Sequence, residues 1–335
     1  MPRAEDRRYL EEALRLAAKG EGHTRPNPPV GALIVKDGKI VGRGYHRRAG
    51  GDHAEVAAIK NARRRGFDLA GSTIYVTLEP CSRPGRVGAC TDAIAAAGIA
   101  EVVYAAGDPN PKNRNRAARV LRKAGIKCRR VPMEGAERII RPFAKHVLER
   151  MPFVTVKIAM SLDGRICDVD GESKWISSKA ARRLTGAFRR RADAIMVGAE
   201  TVRKDNPSLL PHDARNDDLL RVVVSRSGRL PKTAQIFTDG KNPTRVFKLA
   251  KGESLRSVLE ALAEEGVMWV FCEGGLALAR SLAQEGLVDE WITVLAPTVI
   301  GTRPIAEKVD FKGGFAAAAP VVGGDVIARC SCLRD

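Results

Sequence analysis

Gly51-Asp52-His53-Ala54-Glu55, followed by Glu79-Pro80-Cys81 and, after eight intervening residues, by Cys90, supplies one imidazole, two thiols and a carboxylate. Two thiolates and one histidine nitrogen make a tetrahedral zinc set with the fourth position open to water. Zinc there lowers the pKa of its water toward neutrality, so that hydroxide exists at physiological pH. Glu55, two residues beyond the histidine, sits near that water without being a ligand. It can take the water proton and pass it to a departing amine, the role of the Glu in the His-x-Glu of zinc deaminases. His-x-Glu alone is common by chance, and Pro-Cys with a second Cys makes it specific. The plainer alternative has Cys81 and Cys90 as buried thiols and His53 as a surface residue.

The pattern around these residues sets the fold class. His53 opens an apolar-periodic segment (Val56, Ala57, Ile59, Ala62) that reads as a helix ending at Gly66, and Cys90 opens a second helix over Thr91–Ala97. Thiols at helix N-termini are shifted toward thiolate, which suits ligation. A helix about Glu5–Lys19, strands over 31–36, 39–44, 73–78, 101–106 and 127–130, and a helix over 115–124 complete a mixed sheet covered by helices. One helix over Glu134–Arg150 leads out of this part. From Met151-Pro152 onward strands and helices alternate again, beginning with the apolar strand Phe153–Met160. The expectation is an α/β protein of two domains, 1–148 and 149–335.

The 335 residues carry 57 Lys+Arg against 39 Asp+Glu, a formal charge of +18. The cations are dispersed in short clusters such as Arg63-Arg64-Arg65 and Arg189-Arg190-Arg191, and aromatic residues for base stacking are few. Such a field draws in phosphorylated small molecules as well as nucleic acid. No run of about 18 apolar residues suggests a membrane span, and no signal peptide is evident. The seven cysteines show no disulfide framework, so the chain reads as cytoplasmic. Cys330-Ser331-Cys332 is too tight for a usual metal pair and reads as a strand or tail feature.

Cytidine and tRNA-adenosine deaminases commonly space their cysteines as Pro-Cys-x-x-Cys, whereas the loop here is longer. That loop, with Arg25-Pro26-Asn27-Pro28-Pro29-Val30-Gly31, Gly44-Tyr45-His46, Thr77-Leu78-Glu79-Pro80-Cys81-Ser82 and Gly107-Asp108-Pro109-Asn110-Pro111, resembles the bifunctional deaminase/reductase family of riboflavin biosynthesis. The resemblance implies a cytidine-deaminase-like first domain in which Asn27, His46, Asp108 and Asn110 line the pyrimidine and ribose-phosphate pocket. Read alone, Pro-Asn-Pro and Asp-Pro-Asn-Pro are turn signals. The chain departs from the family after Ser82. Where His or an aromatic residue and then Gly-Arg/Lys-Thr-Pro-Pro-Cys is usual, it has Arg83-Pro84 and Val87-Gly88-Ala89. Arg83 and Arg86 either pair with the substrate phosphate or are solvated.

The second half carries Lys157-Ile158-Ala159-Met160-Ser161-Leu162-Asp163-Gly164, Gly171-Glu172-Ser173-Lys174-Trp175-Ile176-Ser177, the segment Gly198–Leu209 and Glu273-Gly274-Gly275, which resemble the reductase half of the same family. The resemblance implies a dihydrofolate-reductase-like fold. It assigns Ala159, Trp175, Thr201, Asp205 and Gly275 to NADPH, and Ser173, Arg189, Leu209 and Glu273 to substrate. The competing readings are core packing for Trp175, a solvated basic helix face for Arg189 and a turn for Asp205. Two glycines after a strand let backbone amides approach a phosphate at a helix start, though a tight turn explains them about as well. Where the family often has Thr-Val-Arg, Leu210–Arg215 follows, with His212 or Arg215 in place of that arginine. Ser225-Arg226 stands where Asp-Ser is usual, and many arginines, Arg203 and Arg226 among them, are expected near the cofactor segments, without the sequence showing which of them meets the cofactor.

The function this implies is zinc-dependent deamination of 2,5-diamino-6-(5-phosphoribosylamino)pyrimidin-4(3H)-one, then NADPH reduction of the ribosyl group. The expected partners are phosphorylated pyrimidines and further copies of the chain in a homo-oligomer, with neither nucleic acid nor membrane. The alternatives are a paralogue acting on a related pyrimidine and a nucleic-acid deaminase, which the cysteine spacing disfavours.

Overall fold

A computed structural model describes residues 4–83, 88–211, 216–302, 309–310 and 320–331. Arg86, His212, Arg215 and Cys332 lie outside them. The chain divides into two compact units, Met1–Met151 and Pro152–Asp335.

The first unit is built on a five-stranded sheet in the order β2-β1-β3-β4-β5. Its strands are β1 (Gly31–Lys36), β2 (Lys39–Tyr45), β3 (Thr73–Leu78), β4 (Glu101–Ala106) and β5 (Lys127–Arg130). β1 pairs antiparallel with β2 and β3, while β3, β4 and β5 run parallel, so the sheet is mixed. β1 and β4 are apolar almost throughout because both faces are covered. With a side-chain period of two, Ala32 and Ile34 face one layer and Leu33 and Val35 the other. The first layer is α2 (Ala54–Arg64), α3 (Cys90–Ala96) and α4 (Ala117–Lys123), which contribute Ala58, Ile59, Ala62, Ile94 and Leu121. The second is α1 (Ala4–Ala17) with α5 (Glu134–Ile139), contributing Tyr9, Leu10, Ala13 and Ala136.

The single helix expected over Glu134–Arg150 is two, α5 and α6 (Arg141–Glu149), divided at Ile140. Pro142 explains the break, since it offers no N–H and its ring fits only the first turn of a helix.

α2 lies against β2 backbone to backbone. A Cβ on Gly44 would come within 2.3 Å of the Ala58 nitrogen and 2.4 Å of the Ala54 oxygen, so only glycine permits this approach. The contact fixes the N-terminus of α2, and with it His53 and Glu55, over the sheet.

The second unit has an eight-stranded sheet ordered β14-β15-β11-β6-β10-β7-β8-β9. The strands are β6 (Phe153–Met160), β7 (Ala194–Gly198), β8 (Leu220–Ser225), β9 (Thr244–Lys248), β10 (Trp269–Cys272), β11 (Glu290–Leu295), β14 (Val321–Val322) and β15 (Asp325–Ser331). Those from β11 to β9 are parallel, and β15 and β14 close one edge antiparallel. Cys330 and Ser331 lie in β15. β12 (Thr298–Val299) and β13 (Val309–Asp310) form a separate pair. The helices that position the site are α7 (Lys179–Arg191), capped by the Ser178 side chain, α8 (Ala199–Asp205) and α11 (Leu276–Gln284). Among the described residues no helix is long and apolar enough to cross a membrane.

Candidate active sites

His53 is the N-cap of α2 and Cys90 the first residue of α3, so two helix starts and the loop after β3 converge. His53 Nδ1 lies 3.1 Å from Cys90 Sγ and 3.6 Å from Cys81 Sγ, and the three ligand atoms fall within 4.8 Å of one another. Ligands about 2.0–2.3 Å from a tetrahedral zinc ion are spaced roughly 3.3–3.8 Å apart, so the set fits that metal. Cys81 Sγ accepts the backbone N–H of Cys90 at 3.3 Å. A hydrogen bond from the Cys90 thiol pulls the Cys81 pKa well down, and the same bond with burial pushes that of Cys90 up.

Glu55 is buried in the first turn of α2. Burial, and then the charge on Cys81, raise its pKa to about 7. Together with His53 and Cys81 it lines a cavity of about 350 Å³. Asn27, His46, Asp108 and Asn110 line the same cavity, so the four residues assigned by resemblance come together around Glu55. His46 is buried, with Nδ1 2.9 Å from the Asp52 carbonyl and Nε2 3.2 Å from Asn27 Nδ2. A carbonyl only accepts, so Nδ1 carries the proton and Nε2 accepts from the Asn27 amide. Desolvation lowers the His46 pKa, in keeping with a neutral ring. Arg83 is exposed at the cavity wall, as is Lys112, which the sequence reading did not single out.

In the second unit a cavity of about 660 Å³ opens at the carboxyl ends of β6, β7 and β10. Ligands of α/β sheets bind at such strand ends. Ala159, Trp175, Thr201, Asp205 and Gly275 line it, as do Ser173, Arg189, Leu209 and Glu273, so all nine assigned residues meet. Gly274 packs on β7, where a Cβ would come within 2.4 Å of Val197 Cα. Gly275 is left-handed at φ +38° and caps α11 without a side-chain hydrogen bond, and its neighbours Leu276 and Ala277 line the cavity. An uncapped helix start at the wall suits a phosphate, so the cavity fits a dinucleotide in volume and donors.

Trp175 is 56% exposed, with the Arg182 guanidinium 4.4 Å from its ring centroid, which removes the core-packing reading. Arg189 is not solvated but grips Glu273 through two hydrogen bonds of 2.6 and 3.0 Å and donates to the Leu210 carbonyl. Ser173 Oγ donates to the Asp205 carboxylate at 3.3 Å. Arg203 donates to Glu200 and to the Arg229 carbonyl, while Arg226 is exposed. Neither is among the residues that line the cavity. Lys174, Arg182 and Lys204 are. The sequence reading also gave no role to Lys157, which lines the cavity beside Arg189 and Glu273. Desolvation lowers its pKa, opposed by the Glu273 charge. Its signal was a lysine inside an otherwise apolar strand.

Residues 3–106 match the cytidine and deoxycytidylate deaminase zinc-binding region, and residues 152–318 match the RibD C-terminal domain. The riboflavin biosynthesis protein RibD of Aquifex aeolicus is 37% identical over 321 residues, which span 90% of this chain and 89% of that protein. The chain belongs to the RibD family. The Escherichia coli RibD is 36% identical over 89% of each chain. A crystal structure of the Thermotoga maritima diaminohydroxyphosphoribosylaminopyrimidine deaminase/5-amino-6-(5-phosphoribosylamino)uracil reductase superposes with a TM-score of 0.86 at 32% identity, covering 98% of this chain and 99% of that one. Acinetobacter baumannii RibD gives 0.82 at 33% identity. RibD membership accounts for both halves: a zinc deaminase domain and a reductase domain in one α/β chain.

Proposed function

We propose that the chain performs two consecutive steps of riboflavin synthesis. The first unit removes the 2-amino group of 2,5-diamino-6-(5-phosphoribosylamino)pyrimidin-4(3H)-one by hydrolysis. The second reduces the ribosyl group of 5-amino-6-(5-phosphoribosylamino)uracil to ribityl with NADPH. The observation that carries the first step is the buried Glu55 beside the His53, Cys81 and Cys90 set, in one cavity with Asn27, His46, Asp108 and Asn110.

His53, Cys81 and Cys90 would hold a zinc ion, which when bound would supply hydroxide at neutral pH by lowering the pKa of a water. Glu55 holds the proton given up by that water and returns it to the amine, which leaves as ammonia. The Asn27 amide, oriented by His46, and the Asp108 carboxylate hold the pyrimidine. In the second unit the lining of the cavity would hold NADPH, which when bound would supply a hydride, and the protein's part is to set the sugar against it. Lys157, Glu273 and Arg189 make a compact polar wall where the sugar phosphate and its reacting carbon are held. We place the enzyme in the cytoplasm, in keeping with the free thiols of the described cysteines, and propose that it acts as a homo-oligomer.

A coupled assay with the diaminopyrimidine phosphate and NADPH, reading ammonia release and NADPH oxidation separately, tests both steps. Ammonia without NADPH oxidation would overturn the reductase assignment. No ammonia from the diaminopyrimidine phosphate, while supplied deaminated substrate is still reduced, would overturn the deaminase assignment.

NADPH is expected to be preferred over NADH by about tenfold or more in the Michaelis constant, because a charge-assisted hydrogen bond to the 2′-phosphate contributes roughly 1.5–3 kcal/mol. The cations on the cavity wall, Arg182 and Lys204 among them, supply it instead of Arg203 or Arg226. Fluorescence titration at one salt concentration decides this, and equal affinities would count against it.

A further inference from the structure

The turn after β4 carries a side chain that no reading above uses. Asn113 is 6% exposed and lines the deaminase cavity. Its Nδ2 donates to Asp108 Oδ2 at 2.7 Å. Its Oδ1 accepts from the Ser82 backbone N–H at 2.8 Å and from Ser82 Oγ at 3.2 Å. The partners fix the amide's orientation, since a backbone N–H only donates and an ionised carboxylate only accepts. Ser82 directly follows the zinc ligand Cys81. The other Asp108 oxygen accepts the Asn110 N–H at 2.8 Å, so the carboxylate is held on both oxygens within its own turn.

We infer that Asn113 is a positioning residue that ties the metal-ligand loop to the Asp108 carboxylate, setting the distance between the zinc set and the substrate-holding acid. This rests on the deaminase reading above for Asp108, but the link to Ser82 stands without it. No other described side chain donates to Asp108 among its hydrogen bonds. A buried carboxylate that loses a charge-assisted donor turns or moves, and misplacement of about 1 Å is enough to cost two orders of magnitude in rate.

The test uses the full-length zinc protein and two variants. Asn113→Ala removes both links, and Asn113→Asp keeps an acceptor for Ser82 but sets a second carboxylate against Asp108. For Asn113→Ala we expect deaminase kcat/KM to fall about tenfold to a hundredfold and zinc transfer to the chelator 4-(2-pyridylazo)resorcinol to quicken several-fold. Zinc content and reduction of supplied deaminated substrate should stay at the parent's level. For Asn113→Asp deamination should fall at least as far, while zinc transfer stays near the parent rate. Both variants within twofold of the parent in deamination and zinc transfer would overturn the inference. So would joint loss of zinc and of reductase activity, which marks a merely structural role. A parent that releases no ammonia would sink the deaminase reading instead, and the zinc-transfer rates would still decide the Ser82 link.

Discussion

Glu55→Gln is expected to leave zinc content unchanged and to lower deamination by about 10²–10⁴-fold, the usual contribution of a positioned general acid–base. The amide has nearly the shape of the carboxylate, so the packing of α2 on β2 survives. What it loses is the ability to accept the water proton and give it up again. Burial accentuates the effect: with Glu55 3% exposed, bulk water is poorly placed to replace it as proton carrier. Reduction of supplied 5-amino-6-(5-phosphoribosylamino)uracil should be unaffected, because the described residues that line the reductase cavity all belong to the second unit. Ammonia release and zinc analysis on the same preparation check the result, and parental activity in the variant would rule out the role.

Replacing both cysteines, Cys81→Ser with Cys90→Ser, is expected to abolish zinc binding and deamination together. One histidine remains, and a serine hydroxyl is not deprotonated near neutrality as a metal-bound thiol is. Water without metal has a pKa of 15.7 against roughly 7 on a zinc ion, a gap of more than eight orders of magnitude in hydroxide at a given pH. Glu55 alone cannot make up that difference. Exhaustive chelation of the parent should reproduce the loss, and added zinc should restore it only in the parent. Full zinc occupancy in the double variant would refute the ligand assignment.

The residues most legible in the sequence were those whose chemistry is local. His53, Glu55 and Cys90 share helix starts, and their types and spacing implied the site before any contact was known. The α/β alternation was equally readable, because strand and helix periods differ. Tertiary meetings were not readable. Asn113 looks like one more turn residue until the chain brings it to Ser82, and Arg189 looks solvated until Glu273 meets it from another strand end. The break at Ile140 was signalled by Pro142 but hidden by apolar periodicity on both sides. Which cation lines the cavity was not readable either, because a helix turns residues by about 100° each, so that Lys204 lines it while adjacent Arg203 faces Glu200 and Arg229.

The contact of Gly44 with α2 has a bearing on how such an enzyme can change. Where Gly44 meets α2, main chain packs on main chain, and that point has no rotamer through which small substitutions adjust it, so the half of the site that holds His53 and Glu55 behaves as an inherited constant. Selection for a new pyrimidine is thereby directed to the loops that carry the exposed cavity-lining residues Arg83 and Lys112, whose side chains have room to vary. Directed evolution of new deaminase specificity should therefore accumulate changes in those loops and leave Gly44 untouched.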